Sequence, residues 1–363
     1  VKQQFCIDNT SLNYDHEIAH QFSVHSSPRN YEVVLSEKTF LSNFSEYCNP
    51  GDVILIDKNV LALYPLDSID IEKYIIDPLE ENKNIETVLS FIAFLNEKKF
   101  NKANKVLAIG GGITQDIAAF AAAIFKRGVD WYLFPTTLLS MCDSCIGGKT
   151  GINYLNVKNQ LALFSAPTKV IIHFDFLKTL SEGDLKSGLG EILKLFAMAD
   201  EELIQFYSNR VLSGKVTNET FYPELIKRAL AIKKAVVERD EFELDIRKSL
   251  NYGHTVGHAI EVLSDYKISH GQAVVVGMLT VNGLFGFYNK LYDEKCRDLI
   301  DTTTLSNLNL NTIDELIKKD KKTLGDKTTF VVLNNFGDTR FVPVRLDAAM
   351  IGCIKQAIRE IYE

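Results

Sequence analysis

Lys105-Val-Leu-Ala-Ile-Gly-Gly-Gly-Ile-Thr-Gln-Asp116 passes from a short apolar strand into three glycines, and then into an alanine-rich stretch, Ile117–Lys126, with helical spacing. Lacking Cβ atoms, the glycines let backbone N–H groups come close to a pyrophosphate at the positive end of the following helix. The letters are not the G-x-G-x-x-G dinucleotide fingerprint, and a tight turn that binds nothing would read the same. The immediate onset of the helix favours the ligand reading. Working outward, Tyr31–Leu35, Asp52–Asp57, Tyr74–Ile76, Val129–Phe134 and Lys169–Phe174 read as further strands, and Ile85–Lys99 as a helix. Strands alternating with helices predict a parallel sheet covered on both faces.

After Thr179 strand-like runs nearly vanish. Helical periodicity carries Glu182–Ala199, Glu201–Tyr207, Pro223–Arg239, His254–Leu263 and Gln272–Tyr288, with a small late hairpin at Thr328–Leu333 and Thr339–Val342. The expected architecture is therefore an α/β nucleotide-binding domain over residues 1–180 and a mostly helical domain over residues 181–363. Residues 1–30 are polar and carry His16, His20 and His25, and they read as a surface extension.

The 363 residues are 46% hydrophobic and 24% charged, which fits a chain with a real core and excludes a disordered one. A net charge of −7 argues against non-specific nucleic-acid binding, which needs a basic footprint. No run of apolar residues is long enough for a membrane span. Six scattered cysteines do not read as a disulfide framework and suit a reducing cytoplasm. Cys142-Asp-Ser-Cys145 has no second CxxC to complete a zinc site, so it reads as small side chains packed in a loop.

Three more clusters carry chemistry. In Gly147-Gly-Lys149-Thr the ending resembles a P-loop, but Asp143 stands where that motif needs its first glycine. A glycine-rich loop with Asp143, Lys149, Lys158 and Asn159 remains, suited to a phosphorylated, polyhydroxylated substrate. In Asn251-Tyr-Gly-His254-Thr-Val-Gly-His258 two histidines sit one helical turn apart, and Ser269-His270-Gly271 follows. Thr255 occupies the position of the zincin glutamate, so a protease is excluded; a packed core set of histidines is the competing reading. Gly188-Leu-Gly190-Glu191-Ile-Leu-Lys194 pairs a carboxylate and an ammonium on an apolar helix. That pair gains meaning only if Glu191 joins His254 and His270 on one metal.

Together GGGITQD (110–116), RGVDWYLFPTTLLSMCDSCIGGKTGIN (127–153), LKSGLGEILK (185–194), LNYGHTVGHAIE (250–261) and SHGQAVVVGM (269–278) resemble the 3-dehydroquinate synthases, within the sugar-phosphate cyclases. The likeness runs from about Asp52 to Gly337. It implies a divalent metal, zinc or cobalt, on Glu191, His254 and His270. It implies NAD on Asp57, Asn59, Glu80, Lys83, Gly111, Gly112, Ile113 and Asp116, completed by Thr136, Thr137, Lys158 and Thr179. It assigns substrate contacts to Asp143, Lys149, Asn159, Lys194, Lys233, Arg247, Asn251 and His258, and to Lys321 or Lys322. Arg127 would cross a homodimer interface.

The implied reaction turns a seven-carbon 2-keto acid phosphate into 3-dehydroquinate through transient oxidation, phosphate elimination, reduction, ring opening and aldol closure. That reaction is a step of the shikimate pathway of aromatic amino acid biosynthesis. Lysines and Arg247 suit the anionic groups. Another sugar-phosphate cyclase, of the aminodehydroquinate or 2-deoxy-scyllo-inosose synthase type, and a metal-dependent polyol dehydrogenase are the alternatives. A carboxylate-bearing substrate gives Arg247 its partner. The chain departs from the family pattern at Gln115 and Leu79, both usually glycine. Further departures are Ser181-Glu-Gly183 for Pro-Glu-Arg, Val157 before Lys158, and Gln272 in place of glutamate.

Overall fold

The computed structural model describes residues 2–27, 29–155, 157–212, 215–216, 221–319 and 327–363. They form two compact units, residues 18–180 and residues 181–363, and the second also takes in residues 1–17. The first 17 residues are therefore not part of the α/β domain, and they are not a surface extension. Strands β1 (Lys2–Ile7) and β2 (Thr10–Asp15) form a hairpin with paired backbones throughout. The polar letters misled because such strands show one face to solvent; Phe5, Ile7, Leu12 and Tyr14 supply the buried face.

The unit of residues 18–180 is built on a seven-stranded sheet. Its strands are β3 (Gln21–Val24), β4 (Tyr31–Ser36), β5 (Val53–Asp57), β6 (Glu72–Ile76), β7 (Lys105–Gly110), β8 (Asp130–Pro135) and β11 (Lys169–His173), in the order β3-β4-β11-β8-β7-β5-β6. All neighbours run parallel except the edge pair β3 and β4. Every residue of β5 and of β7 is buried, as expected of strands covered on both faces. Helices α1 (Phe40–Asn43), α2 (Lys58–Leu63), α3 (Ile85–Glu97) and α4 (Gly112–Ile124) complete the layers. From β5 the chain first adds β6 on one side, then returns to add β7 on the other. The strand order therefore reverses between β5 and β7, and a crevice outside the carboxyl ends of such strands is where open α/β sheets bind ligands. Lys149, Lys158 and Asn159, read as part of a glycine-rich loop, lie instead in a hairpin, β9 (Lys149–Tyr154) with β10 (Val157–Phe164). Gly147 and Gly148 take positive φ, 98° and 62°, to lead the chain into it.

The second unit combines helices α5 (Glu182–Ala199), α6 (Glu201–Ser208), α7 (Phe221–Arg239), α8 (His254–Leu263) and α9 (His270–Phe285) with later short helices and a C-terminal one, Ala348–Tyr362. A two-residue ladder joins β12 (Val211–Leu212) to β13 (Lys215–Val216). The late hairpin is longer than its sequence signal, β14 (Lys327–Asn335) with β15 (Asp338–Arg345). It extends into a four-stranded sheet because β1 adds in parallel to β15. Helix α9 is buried from Gly271 to Asn282 without a polar face, the pattern of a central helix.

Helices α5, α8 and α9 meet backbone to backbone. A Cβ on Gly271 would overlap the Ser187 carbonyl of α5, and one on Gly277 would overlap the Gly253 carbonyl that leads into α8. Gly253 also needs its glycine for a φ of 79°. Among the described residues, no helix is long and apolar enough to cross a membrane.

Gly271→Ala should lower stability by about 1–3 kcal/mol, because the added methyl meets backbone rather than a mobile side chain. Gly352→Ala, on the C-terminal helix with nothing near a Cβ, should be neutral or stabilising by up to about 1 kcal/mol. Urea denaturation midpoints of the two variants against the parent chain check both signs.

Candidate active site

In the helical unit, Glu191 lies midway along α5, fully buried. His254 opens α8 and His270 opens α9. The glycine contacts bring these three points together. Glu191 Oε1 is 3.6 Å from His254 Nε2 and 3.4 Å from His270 Nε2. A tetrahedral cation with bonds of about 2.1 Å holds its ligand atoms about 3.4 Å apart, so the spacing fits one. All three ligand atoms lie within 4.8 Å of one another, as a shared metal ion requires.

Both imidazoles are oriented from behind. His254 Nδ1 meets the Tyr252 carbonyl at 3.1 Å, and His270 Nδ1 meets Glu261 Oε2 at 3.1 Å. Each ring thereby presents Nε2 to Glu191. Burial opposes charge on His270, but the Glu261 and Glu191 carboxylates outweigh it and push its pKa up to about 10. Two carboxylates draw positive charge to this position. Lys194, buried one turn along α5, forms an ion pair with Glu191 Oε2. His258 packs edge-on to His254, with ring centres 5.4 Å apart, and 6.1 Å from His270.

Elsewhere in the helical unit, Lys233 is buried on α7. Arg247 and Asn251 lie in the short helix Ile246–Asn251. The Arg247 guanidinium donates to the Glu241 carbonyl, and the Asn251 amide donates to Glu243 at 2.9 Å. These two expected substrate groups are thus held by the 241–243 segment. Lys321 and Lys322 lie outside the described residues. Two departures find their reason here. Gln272 accepts from the Ser269 N–H and hydroxyl at 3.2 and 2.9 Å and donates to the Leu299 carbonyl at 2.8 Å, so it closes the start of α9 as glutamate would. Ser181 caps α5 by accepting the Asp184 N–H at 3.1 Å.

In the α/β unit, the expected nucleotide residues gather at the carboxyl ends of β5 and β7. Asp57 ends β5 and caps α2, accepting from the Asn59 and Val60 N–H groups at 2.7 and 3.4 Å. Burial pushes its carboxyl above the ordinary range, and the two N–H donors work against that shift. Gly111 caps α4, Ile113 sits in its first turn, and a Cβ at Gly112 would meet nothing within 4 Å, which leaves an open cradle over the helix N-terminus. Thr137 shares its hydroxyl with Ser140 at 2.8 Å just after β8, beside Thr136. Thr179 is 3.4 Å from the Tyr64 hydroxyl.

Lys83 is the hub of the unit. Buried, it reaches Asp116 at 3.0 Å and Asn159 at 2.8 Å. Burial raises the Asp116 carboxyl, and the Lys83 charge pulls it back. Lys158 and Lys83 each lie 3.9 Å from Glu80. Asn159, expected on the substrate, is tied to this nucleotide group through Lys83. Asp143 falls in a π-helical turn, Ser140–Ser144, and the Cys142 and Cys145 thiols on either side of it donate to backbone carbonyls. Gln115, in the place of the usual glycine, pairs both ways with that turn. Its Nε2 donates to the Ser144 carbonyl at 2.7 Å, and its Oε1 accepts from the Ser144 hydroxyl at 2.9 Å. Arg127 takes a positive φ of 63° in the turn after α4.

The sequence reading missed three groups. Glu261 was quoted only as the end of a motif. Asn153 joins Glu80 and the Asn159 N–H at 2.9 and 3.0 Å, and Thr150 joins Asp116 at 3.1 Å. Thr150 and Asn153 lie three apart on β9, off its period of two, so no spacing pattern in the letters marks them. His16 and His20, four apart, do not share a helical face, because residues 10–15 and 21–24 are strands. His16 faces Arg228 at 3.0 Å.

Models of the 3-dehydroquinate synthase N-terminal and C-terminal regions match residues 73–187 and 188–323. The 3-dehydroquinate synthase of Alkaliphilus metalliredigens is 36% identical over 84% of this chain and 90% of its own. Among solved structures, a 2-deoxy-scyllo-inosose synthase complexed with carbaglucose-6-phosphate, NAD+ and Co2+ superposes with a TM-score of 0.79 at 22% identity, covering 94% of this chain and 99% of its own. A 2-epi-5-epi-valiolone synthase from Streptomyces hygroscopicus with NAD+ and Zn2+ bound gives 0.76 at 24% identity, covering 91% and 96%. These two likenesses carry the fold, and the sequence matches carry the family. With the carboxylate and both imidazoles converging as that family's motifs predict, this chain belongs to the 3-dehydroquinate synthase family.

Proposed function

We propose that the chain converts 3-deoxy-arabino-heptulosonate 7-phosphate to 3-dehydroquinate and inorganic phosphate, as a cytoplasmic homodimer using NAD and one divalent cation, zinc or cobalt. The observation that carries this reading is the convergence of Glu191, His254 and His270, at a metal's ligand spacing, in a chain of this family. When bound, NAD supplies reversible hydride transfer and the cation polarises the reacting oxygens of the substrate.

The chain's own residues do the rest. Glu191, His254 and His270 hold the cation. Asp57, Asn59, Glu80, Lys83, residues 111–113, Asp116, Thr136, Thr137, Lys158 and Thr179 hold the dinucleotide, with Asp57 suited to accepting ribose hydroxyls and the α4 N-terminus to the pyrophosphate. Lys194 on α5 and Lys233 on α7 bring two buried ammonium groups whose charge suits the substrate phosphate or carboxylate. Lys149, Asp143, Asn159, Arg247, Asn251 and Lys321 orient the remaining hydroxyls and anionic groups, and Arg127 serves the partner subunit. His258, beside the two ligand imidazoles, accepts and returns a proton at a ring nitrogen.

With NAD and Zn2+ or Co2+, the heptulosonate phosphate should yield phosphate and dehydroquinate in equal amounts; absence of both products would overturn the assignment. Glu191→Gln should lose the cation, measured by metal analysis of the purified protein. His258→Ala should keep the cation while turnover falls by about 10²–10⁴-fold. Lys83→Met should raise the NAD dissociation constant by about 10–100-fold, the scale of one charge-assisted hydrogen bond, as read by calorimetric titration.

A further inference from the structure

Among the described residues of the helical unit, two groups of side chains have metal-ligand spacing: Glu191, His254 and His270, and His258, Glu261 and His270. They share His270, which offers Nε2 to the first group and Nδ1 to the second. A neutral imidazole has one lone-pair nitrogen, so this ring cannot ligate a cation in both.

The geometry points to Glu261 as a positioning residue that accepts the Nδ1–H of His270, aims its Nε2 at the cation held with Glu191 and His254, and leaves the second group without an ion of its own. This inference rests on the cation site proposed above. Residues 254, 258 and 261 follow i, i+4 and i+7 on α8, so one stripe carries a metal ligand, a proton carrier and the carboxylate. Glu261 is buried, as is the Gly271 that follows the ring it orients. His254 is held in the same sense by a neutral carbonyl, that of Tyr252 at 3.1 Å. His270 is backed by the Glu261 carboxylate, and a charged acceptor makes the ring a stronger electron donor through Nε2. Two carboxylates, Glu191 and Glu261, match the charge of one dication.

The test uses full-length protein stripped of metal by chelation and titrated with Zn2+ or Co2+ alone. The parent chain should bind one ion. Glu261→Ala should still bind one, about 10–100-fold more weakly, with the Co2+ visible spectrum still that of the same coordination number. Glu261→Gln keeps an acceptor oxygen and the side-chain volume, and should fall between the two. It also serves as the folded reference should the alanine variant fail to fold. His258→Ala should bind near the parent affinity. Parent-like affinity in both Glu261 variants, or a Co2+ spectrum that loses a ligand in Glu261→Gln, would overturn the positioning role. Loss of the ion in His258→Ala would move the cation to the second group. A parent chain that binds no ion, or a His254→Ala variant that binds as the parent does, would instead overturn the cation site itself.

Discussion

The helical unit depends on the closeness with which α5, α8 and α9 pack. Each expected ligand stands next to a glycine at these contacts: Gly190 before Glu191, Gly253 before His254 and Gly271 after His270. The glycines bring the backbones within reach, and the adjacent side chains then meet across a few ångströms. An ordinary helix crossing keeps axes about 8–10 Å apart. With larger residues at the contacts, the three ligand atoms would be spread beyond the span of one ion. The same closeness buries the Glu191 carboxylate, which is costly unless opposite charge surrounds it. The Lys194 ammonium pairs with it there, and the two imidazole Nε2 atoms lie 3.6 and 3.4 Å from Oε1.

The α/β unit solves a different problem. Its sheet reverses order between β5 and β7, so Asp57 and the glycine turn emerge at neighbouring strand ends with open space above Gly112. Lys83 then links elements distant in sequence, because its ammonium serves Asp116 on α4 and Asn159 on β10. A buried lysine needs such partners, and α4 and the hairpin β9–β10 each bring one. At Gln115 a large side chain stands where the family has none, and the space is used by a reciprocal amide pairing to Ser144. The departures at Gln115 and Gln272 therefore read as replacements whose hydrogen bonds are complete.

Much of this was legible before any coordinates. Buried parallel strands are continuous apolar runs, so β5, β7 and β11 stood out, and the long helices showed their period. The histidines of the candidate metal site stood out too, because histidines and glycines crowd a short stretch, whereas Glu191 gained its meaning only from the resemblance. Other features left weaker traces. Strands β1 and β2 are amphipathic and begin the chain, and their partner β15 lies more than 300 residues away. The hairpin β9–β10 was hidden by glycines, Gly147 and Gly148 leading into it and Gly151 within β9. Glu261 is one more helix carboxylate until His270 is seen against it.

The order of strands and helices, the glycine turn and the candidate ligands were set by local chemistry, since periodicity, turn residues and ligand types are properties of neighbouring letters. The tertiary structure alone decided that residues 1–17 belong with the C-terminal unit, that Lys83 is shared by Asp116 and Asn159, and which nitrogen of His270 faces Glu191. Each of these turns on distances between residues far apart in the chain, and packing, not sequence spacing, sets such distances.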